Sequence, residues 1–248
     1  MKVKTVIITG ASTGIGQAIA KLFIEKGNNV VMNSANEDKL KAAYLEFGSP
    51  ASAIVVAGDV SDKKTGEKLI RSAVDTFGSV EVLINNAGIF EPKPFLDVDE
   101  DDIDRHISVN FKGTYFTSQA AIRQMLKQGG GTIINTGTVL VDHAIAGFPC
   151  SAPLASKAAI HTLTKHLAAE FGKDNIKVNT IAPGIIRSPL QSKIGVENAD
   201  SLAGLHLLNR IGEPEEIAEA AYYLAYADFV TGDTLHVSGG HAVGHAIA

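Results

Sequence analysis

The chain has 248 residues, of which 45% are hydrophobic and 20% charged, and its formal net charge is -5. An acidic chain without a basic run neutralises few phosphates, so the composition argues against a nucleic-acid partner. No basic amphipathic helix points to a membrane surface. The single cysteine, Cys150, excludes an intramolecular disulfide and fits a reducing compartment. Apolar runs are too short for a membrane span or a signal peptide, so we expect a soluble, cytoplasmic protein.

Strand-like and helix-like segments alternate along the chain. Short β-branched runs predict strands over 3–9, 29–33, 53–57, 80–85, 132–136, 176–181 and 234–237. Apolar residues at helical spacing predict helices over 17–26, 37–47, 63–77, 99–127 (interrupted near Gly113), 154–171 and 214–226. Such alternation predicts a parallel sheet with helices on both faces. No linker divides the chain, so we expect one domain over 1–248.

A glycine-rich turn joins the first predicted strand to the first predicted helix. Gly10, Gly14 and Gly16 lie there in GASTGIG. Glycines at such a turn let the backbone approach a bulky anion, and the helix N-terminus offers free N–H groups to a pyrophosphate. The spacing G-x-x-x-G-x-G differs from the commonest dinucleotide fingerprint, G-x-G-x-x-G. A tight strand-to-helix turn without a ligand is the alternative.

Further motifs follow in order along the chain. They are TGASTGIG at 9–16, Asp59–Val60, NNAG at 85–88, Asn110, Ser156–Lys157, NTIAPG at 179–184 and Gly239–Gly240. Together they resemble the short-chain dehydrogenase/reductase family over nearly the whole length. The resemblance implies a Rossmann-type, doubly wound three-layer α/β sandwich with a seven-stranded parallel sheet. It also implies an NAD- or NADP-dependent oxidoreductase that assembles as a homotetramer or homodimer.

The resemblance assigns cofactor-binding residues by position. They are Gly10, Ser12, Thr13, Gly14, Ile15, Gly16, Ser34, Asp59, Val60, Asn86, Ala87, Gly88, Lys157, Pro183, Gly184 and Ile186. Asp59 resembles the family acid that accepts a hydrogen bond from the adenine amino group. A solvated helix N-cap is the alternative for Asp59. We assign no metal site.

The end of the second predicted strand decides between NAD and NADP. An acid there would bind the ribose 2′-hydroxyl, whereas an arginine would bind a 2′-phosphate. The segment Asn33-Ser34-Ala35-Asn36 supplies neither. Thr13, Ser34 and Asn36 are able to hydrogen-bond either ribose, and Lys39 lies one turn further on as a phosphate ligand or a solvated helix residue. The absence of a carboxylate favours NADP.

The catalytic set of the family is an Asn, a Ser, a Tyr and a Lys. Asn110 and Lys157 match two of these positions, and Thr138 takes the Ser position with its hydroxyl retained. The Tyr position, four residues before Lys157, holds Pro153, which has no side-chain acid or base. The interval from Thr138 to Lys157 is about two residues longer than the family pattern, so we expect a rebuilt loop.

A structural interpretation accounts for Pro153 without any function. Ser151 would be a helix N-cap, with Pro153 in the first turn. The missing proton donor would then be Ser151, Cys150, His143, His206, or water held by Lys157 and Thr138, and the sequence leaves these open.

The segment 187–210 is predicted to be a substrate flap. Its apolar residues and their neighbour Ile186 favour a small to medium, largely uncharged substrate: Ile186, Leu190, Ile194, Leu202, Leu205 and Leu207. Ordinary packing or subunit contacts are the alternative for these side chains. Two functions follow from the whole chain: an oxidoreductase acting on a carbonyl or hydroxyl group, or a dinucleotide-binding sensor or partner subunit that has lost redox catalysis.

Overall fold

Seven parallel strands form the centre of the computed structural model, which describes residues 2–193 and 195–245. The strands are β1 (Thr5–Ile8), β2 (Asn29–Ser34), β3 (Ala53–Ala57), β4 (Val82–Asn85), β5 (Gly131–Thr136), β6 (Ile176–Pro183) and β7 (Thr234–Val237). Their order is β3-β2-β1-β4-β5-β6-β7, and every neighbouring pair is parallel. The predicted Rossmann-type, doubly wound α/β fold is therefore confirmed.

Helices cover both faces of the sheet. They are α1 (Gly14–Glu25), α2 (Glu37–Glu46), α3 (Lys63–Phe77), α4 (Glu100–His106), α5 (Gly113–Gln128), α6 (Ser151–Phe171), α7 (Pro189–Lys193) and α8 (Pro214–Tyr226). Side chains alternate across each strand, so β1 sends Val6 and Ile8 to the core under α1, α2 and α8. It sends Ile7 to the core under α3, α5 and α6. In the described part of the chain, no helix combines the length and hydropathy that a bilayer crossing requires.

The predicted helix over 99–127 is three segments. Between α4 and α5 lies a π-helical segment, Ile107–Lys112, so the interruption precedes Gly113 rather than falling at it. A β-carbon on Gly113 would lie 2.8 Å from Val60 Cγ2, which explains why a glycine begins α5. The π-helical segment carries Asn110, which is fully buried. Such bulges occur often at functional sites.

The start of α6 lies close to the prediction. Pro153 is in the first turn, as predicted, where its missing N–H would have no intrahelical acceptor. The N-cap, however, is Cys150 and not Ser151, which is already the first helical residue. The alternative cap function of Asp59 is not seen. The N-cap of α3 is Asp62, whose carboxylate accepts a hydrogen bond from Lys64 N at 2.9 Å, and not Asp59.

A chain of buried hydrogen bonds crosses the sheet beneath α5 and α6. Asn85 Nδ2 donates to Ser118 Oγ and to Asn135 Oδ1, both at 2.9 Å. Asn135 Nδ2 donates to Thr164 Oγ1 at 2.9 Å, and Thr164 shares a 2.7 Å hydrogen bond with Thr180. All five side chains are buried. The chain joins β4, β5 and β6 to two helices with polar groups that would be costly to leave unpaired.

Thr164→Val should destabilise the protein, because it keeps the side-chain volume but leaves Asn135 Nδ2 and Thr180 Oγ1 without a partner. We expect the free energy of unfolding to fall by about 1–3 kcal/mol. Thr162→Val, two residues away on the exposed face of α6, should change it by less than about 0.5 kcal/mol. Urea denaturation followed by circular dichroism measures both. Equal midpoints for the two variants would contradict the importance of this chain.

Candidate active site

Two connected clefts open at the carboxyl ends of the strands, around the point where the strand order reverses between β1 and β4. In open parallel sheets this is where ligands bind. The first, the glycine cleft, has a volume of about 460 Å³ and is lined by the turn that holds Gly10, Gly14 and Gly16. The second, the apolar cleft, has a volume of about 320 Å³ and lies beside Lys157.

The predicted cofactor residues divide between the two clefts. The glycine cleft is lined by Gly10, Ser12, Thr13, Gly14, Ile15, Gly16, Ser34, Asp59, Val60, Asn86, Ala87 and Gly88. The apolar cleft is lined by Lys157, Pro183, Gly184 and Ile186. Ile15, Asn86 and Gly88 line both, together with Ile89, Ser188 and Leu190, so the two volumes meet.

Glycine is sterically required at the start of α1. A β-carbon on Gly16 would lie 2.1 Å from Gly10 O and 2.5 Å from Asn86 Nδ2. Gly10 and Gly14 have φ values of +68° and +56°, in the region that side chains disfavour. Thr13, the N-cap, makes no side-chain cap hydrogen bond. The turn therefore forms a cradle without side chains in front of a helix N-terminus, which fits a pyrophosphate.

Polar side chains line the glycine cleft where β2 ends. Ser34 Oγ lies 3.0 Å from Ser12 Oγ and accepts a hydrogen bond from Asn36 N at 3.2 Å. Asn33 is buried and donates to Val56 O and Gly58 O, while its Oδ1 has no hydrogen-bond partner.

Charged side chains are scarce around the glycine cleft. Among the described residues that line it, Lys39 is the one cation and Asp59 the one carboxylate. Asp59 Oδ1 accepts a hydrogen bond from Ser61 N at 2.9 Å, and its side chain is exposed. The described wall of the glycine cleft therefore has one charged side chain of each sign.

The loop after β4 is bound to the end of β1. Thr9 Oγ1 accepts hydrogen bonds from the backbone N–H groups of Asn86 and Ala87, both at 3.0 Å. Asn86 Nδ2 donates to Thr9 O at 3.1 Å. A β-carbon on Gly88 would lie 3.2 Å from Lys157 Nζ, so this glycine allows the ammonium to approach the loop.

Lys157 is a buried cation on α6. Its Nζ donates a hydrogen bond to Thr136 O at 2.7 Å, at the end of β5. The side chain is 8% exposed, and its burial lowers the pKa of the ammonium to about 8. A lysine with a pKa so close to neutrality is able both to hold and to release a proton under physiological conditions.

Asn110 is bound on both sides by protein groups. Its Nδ2 donates to Ile89 O at 3.0 Å and to Ser156 Oγ at 2.8 Å, and its Oδ1 accepts from Ile89 N at 2.8 Å. It is fully buried and is absent from the lining of the apolar cleft. Its amide joins the loop after β4 to α6 next to Lys157.

Thr138 lines the apolar cleft with Lys157. Its Oγ1 accepts a hydrogen bond from Leu140 N at 3.3 Å, and its backbone N–H donates to His161 Nε2 at 3.4 Å. The hydroxyl hydrogen of Thr138 has no acceptor in these contacts, so it is available to a ligand oxygen.

Hydrophobic side chains form most of the wall of the apolar cleft. They include Ile89, Phe90, Leu140, Phe148, Ile185, Leu190, Val196 and Leu202. The rings of Phe90 and Phe148 are stacked, with centroids 6.0 Å apart. The sequence interpretation missed Ile89, Phe90, Leu140, Ile185, Phe148 and Val196. The first four follow predicted strands by four or five residues, which was their only signal, and the last two had none.

Pro153 and two of the suggested proton donors lie away from the apolar cleft. Pro153 is buried one helical turn before Lys157 and lines neither cleft. Cys150 and Ser151 line a separate apolar cavity of about 270 Å³, which we call the side cavity. In the described part of the chain, Leu140 and Phe148 are the two residues that line both the side cavity and the apolar cleft. Neither Cys150 nor Ser151 therefore faces the space beside Lys157.

The other two suggested donors, His143 and His206, belong to a histidine cluster and line neither cleft. Its members are His143, His206, His241 and His245, and neighbouring ring centroids are 4.6–6.3 Å apart. His143 Nδ1 bonds to His241 O at 2.8 Å, and His206 Nε2 accepts from Ile185 N at 3.0 Å. No group of three His, Cys, Asp or Glu side chains in the described residues is arranged to hold a metal ion.

The predicted flap covers the apolar cleft in part. It contains α7 and a 3-10 helix, Ala199–Leu205. Leu190 and Leu202 line the cleft, as Ile186 does, whereas Leu207 packs against Gly240 and Leu205 is absent from the lining. Ile194 lies outside the described residues. Arg187 pairs with Asp200 at 2.7 Å and Glu213 at 3.0 Å, which fixes the base of the flap.

His241 should make the protein less stable in mild acid. The ring is fully buried, both of its nitrogens lack partners, and burial with the neighbouring histidines lowers its pKa from 6.5 to about 4. As the pH falls between these values, the unfolded chain binds a proton that the folded chain does not. Stability is therefore lost over this window, by about 1–3 kcal/mol.

His241→Leu should flatten that pH dependence, and His166→Leu, at an exposed position of α6, should leave it unchanged. Urea denaturation at pH 7, 5.5 and 4.5 measures the effect. If the free energy of unfolding of His241→Leu falls as steeply with pH as that of the parent protein, other groups cause the acid sensitivity.

The family model described as enoyl-(acyl carrier protein) reductase matches residues 10–242. With the fold and the clefts described above, this match defines the class: the chain belongs to the short-chain dehydrogenase/reductase family. A short-chain type dehydrogenase/reductase from Mycobacterium marinum superimposes with a TM-score of 0.91 at 32% sequence identity, covering 97% of this chain and 96% of that one.

Curated relatives are oxidoreductases of similar length. The 3alpha-hydroxysteroid dehydrogenase of Mediterraneibacter gnavus is 35% identical over 246 residues, which cover 96% of this chain and 97% of the relative. The L-rhamnose 1-dehydrogenase (NAD(P)(+)) of Sphingomonas sp. is 36% identical over 244 residues, covering 96% and 95%.

Proposed function

We propose that the protein is an NAD(P)-dependent oxidoreductase that acts on a carbonyl or hydroxyl group of a small to medium, largely uncharged substrate. The observation that carries this proposal is the junction of the two clefts, with Lys157 and Thr138 beside it. A dinucleotide held in the glycine cleft would reach the apolar cleft with its nicotinamide end. The hydrophobic wall there supports an uncharged substrate.

Each predicted cofactor residue has a role in this proposal. The turn from Gly10 to Gly16, with Ser12, Thr13, Gly14 and Ile15, holds the pyrophosphate. Asp59 and Val60 flank the adenine, and Ser34 the adenine ribose. Asn86, Ala87 and Gly88 pass beneath the dinucleotide. Lys157 holds the nicotinamide ribose, and Pro183, Gly184 and Ile186 line the nicotinamide end. When bound, the nicotinamide supplies or accepts the hydride.

Two residues would contact the substrate, Thr138 and Lys157, and a third, Asn110, would position them. Thr138 donates its free hydroxyl hydrogen to the substrate oxygen, as the Ser of the family would. Asn110 is a positioning residue, because its hydrogen bonds to Ile89 and Ser156 hold the two segments that flank Lys157. Lys157 lies with Thr138 in the wall of the apolar cleft.

NADP is the preferred cofactor in this proposal. Ser34 occupies the position at which a carboxylate would repel the 2′-phosphate. Lys39 also lines the glycine cleft. No acidic side chain among the described residues at the end of β2 opposes the phosphate.

Ser34→Asp should reverse the preference, because the new carboxylate binds a ribose hydroxyl and repels a phosphate. We expect NADPH affinity to fall by about tenfold or more while NADH affinity holds or rises. Lys39→Met should weaken NADPH binding more than NADH binding, and Lys41→Met, which loses only the exposed pair with Glu37, is the matched control. Calorimetric titration measures all four proteins. If neither cofactor binds the parent chain at millimolar concentration, the proposal is wrong.

A cofactor-binding sensor or partner subunit is the second candidate function. Pro153 and the placement of Cys150, Ser151, His143 and His206 away from the apolar cleft favour it. The two functions differ in a single-turnover experiment. An oxidoreductase in excess over NADPH oxidises it when cyclohexanone or acetophenone is added, whereas a binding protein leaves NADPH at its solution rate.

Pro153→Tyr should raise reductase activity little or not at all. The position is buried in the first turn of α6 and lines neither cleft, so a phenol there must displace packed neighbours before it reaches the substrate. Initial rates of NADPH oxidation with the two ketones measure the effect, and a melting curve controls for folding. A rise of about a hundredfold or more would identify a dehydrogenase disabled at one residue.

We also propose assembly as a homodimer or homotetramer through α4, α5 and α6. Tyr115 and Leu126 are exposed on α5, and α6 carries small residues that permit close helix contact, among them Ala158, Ala159 and Ala169. Multi-angle light scattering at micromolar concentration should give a multiple of the 26.0 kDa chain mass. A mass of one chain would refute assembly.

A further inference from the structure

The apolar cleft has a single titratable side chain among the described residues that line it, and this is Lys157. The other polar side chains of the wall are alcohols and amides, such as Thr138, Ser188 and Gln191. These groups donate hydrogen bonds but do not lose a proton near neutral pH. Any proton exchanged with a ligand by the described wall itself must therefore come from Lys157.

The ammonium of Lys157 has donor capacity to spare. One of its three hydrogens binds Thr136 O at 2.7 Å. A β-carbon on Gly88 would lie 3.2 Å from Nζ, so a larger residue there would crowd the ammonium. Gly88 lines both clefts and Lys157 lines the apolar cleft, which places the ammonium beside their junction.

Among the described residues, no carboxylate forms an ion pair with Lys157, and burial alone lowers its pKa. The end of β5 presents Thr136, Gly137 and Thr138 to it, the loop after β4 presents Gly88, and the π-helical segment presents Asn110. None of these groups titrates or carries a charge.

The titratable neighbour on α6 itself is His161, one turn further along the helix. Its Nε2 accepts from Thr138 N, and its pKa is lowered first by burial, so it is neutral near pH 7. A buried ammonium without an opposite charge favours its neutral form. This agrees with a pKa near 8 for Lys157, the range that suits a general acid working close to neutrality.

We propose that Lys157 is itself the general acid and base of this protein and exchanges a proton directly between Nζ and the substrate oxygen, in place of the absent phenol. This inference rests on the proposed oxidoreductase function. In reduction, a bound nicotinamide would supply hydride to the carbonyl carbon, and the C=O π bond would open. The oxygen then takes a proton from Lys157: an N–H bond breaks and an O–H bond forms. The neutral amine regains its proton from water, and oxidation of the alcohol reverses these steps.

Comparing Lys157→Arg with Lys157→Met separates the effect of proton transfer from the effect of the positive charge. Arginine keeps the positive charge and its hydrogen bonds but does not release a proton near neutral pH. If Lys157 is the proton donor, both variants should reduce acetophenone about 10²- to 10⁴-fold more slowly. NADPH dissociation constants from fluorescence titration should change much less in Lys157→Arg than its rate does. Lys165→Met, at an exposed position of α6, is the matched control.

Chemical rescue gives a second readout that a positioning role would not produce. In Lys157→Ala, added methylammonium and ethylammonium should restore part of the rate, with a dependence on amine pKa. A Lys157→Arg variant that keeps its rate, or a Lys157→Ala variant without rescue, would overturn the proposal.

A third measurement needs no substrate. Lysine labelled with ¹³C at Cε should show a resonance, absent from Lys157→Met, that titrates near pH 8, below the ordinary lysine value of about 10.4. A Lys157 resonance that stays charged beyond pH 10 would overturn the inference even if the enzyme is active. Failure to bind NADPH would instead refute the proposed function, so the two failures are distinguishable.

Discussion

The hydrogen bond between Asn85 and Asn135 is the constraint on which the site depends. The two residues are paired neighbours in β4 and β5, and their amides are buried under α5 and α6. The residue after Asn135 is Thr136, whose carbonyl holds Lys157, and the residue after Asn85 begins the loop that ends in Gly88. Fixing the two amides therefore fixes the two backbone segments between which the ammonium lies.

The charge of Lys157 is balanced by a neutral hydrogen-bond acceptor and not by an ion pair. Lys157 has a carbonyl oxygen as its partner instead of a carboxylate, and its burial keeps the ammonium close to losing its proton. An ion pair at this place would stabilise the charged form and remove that property. The hydrophobic wall of the apolar cleft has the same effect, because it keeps other charges and much of the water away.

Local patterns in the sequence predicted the sheet and the glycine turn, because strands, turns and glycines depend on neighbouring residues. The other residues that line the glycine cleft were assigned by resemblance to the family. The π-helical segment around Asn110 and the start of α6 were not predictable in this way. Both depend on contacts between distant segments, such as the hydrogen bonds of Asn110 with Ile89 and Ser156. Phe90 and Phe148, 58 positions apart, meet only after the loops that carry them have folded.

The wall between the apolar cleft and the side cavity has consequences for how this protein would evolve. Among the described residues, Leu140 and Phe148 are the two that border both spaces, so their side chains form the partition. Replacement of Leu140 or Phe148 by a smaller residue would connect the two spaces, of about 320 and 270 Å³. The glycine turn and Lys157 would not be changed. The size of the proposed substrate cleft is thus separable from the residues of the proposed chemistry, and part of its wall comes from the loop between β5 and α6.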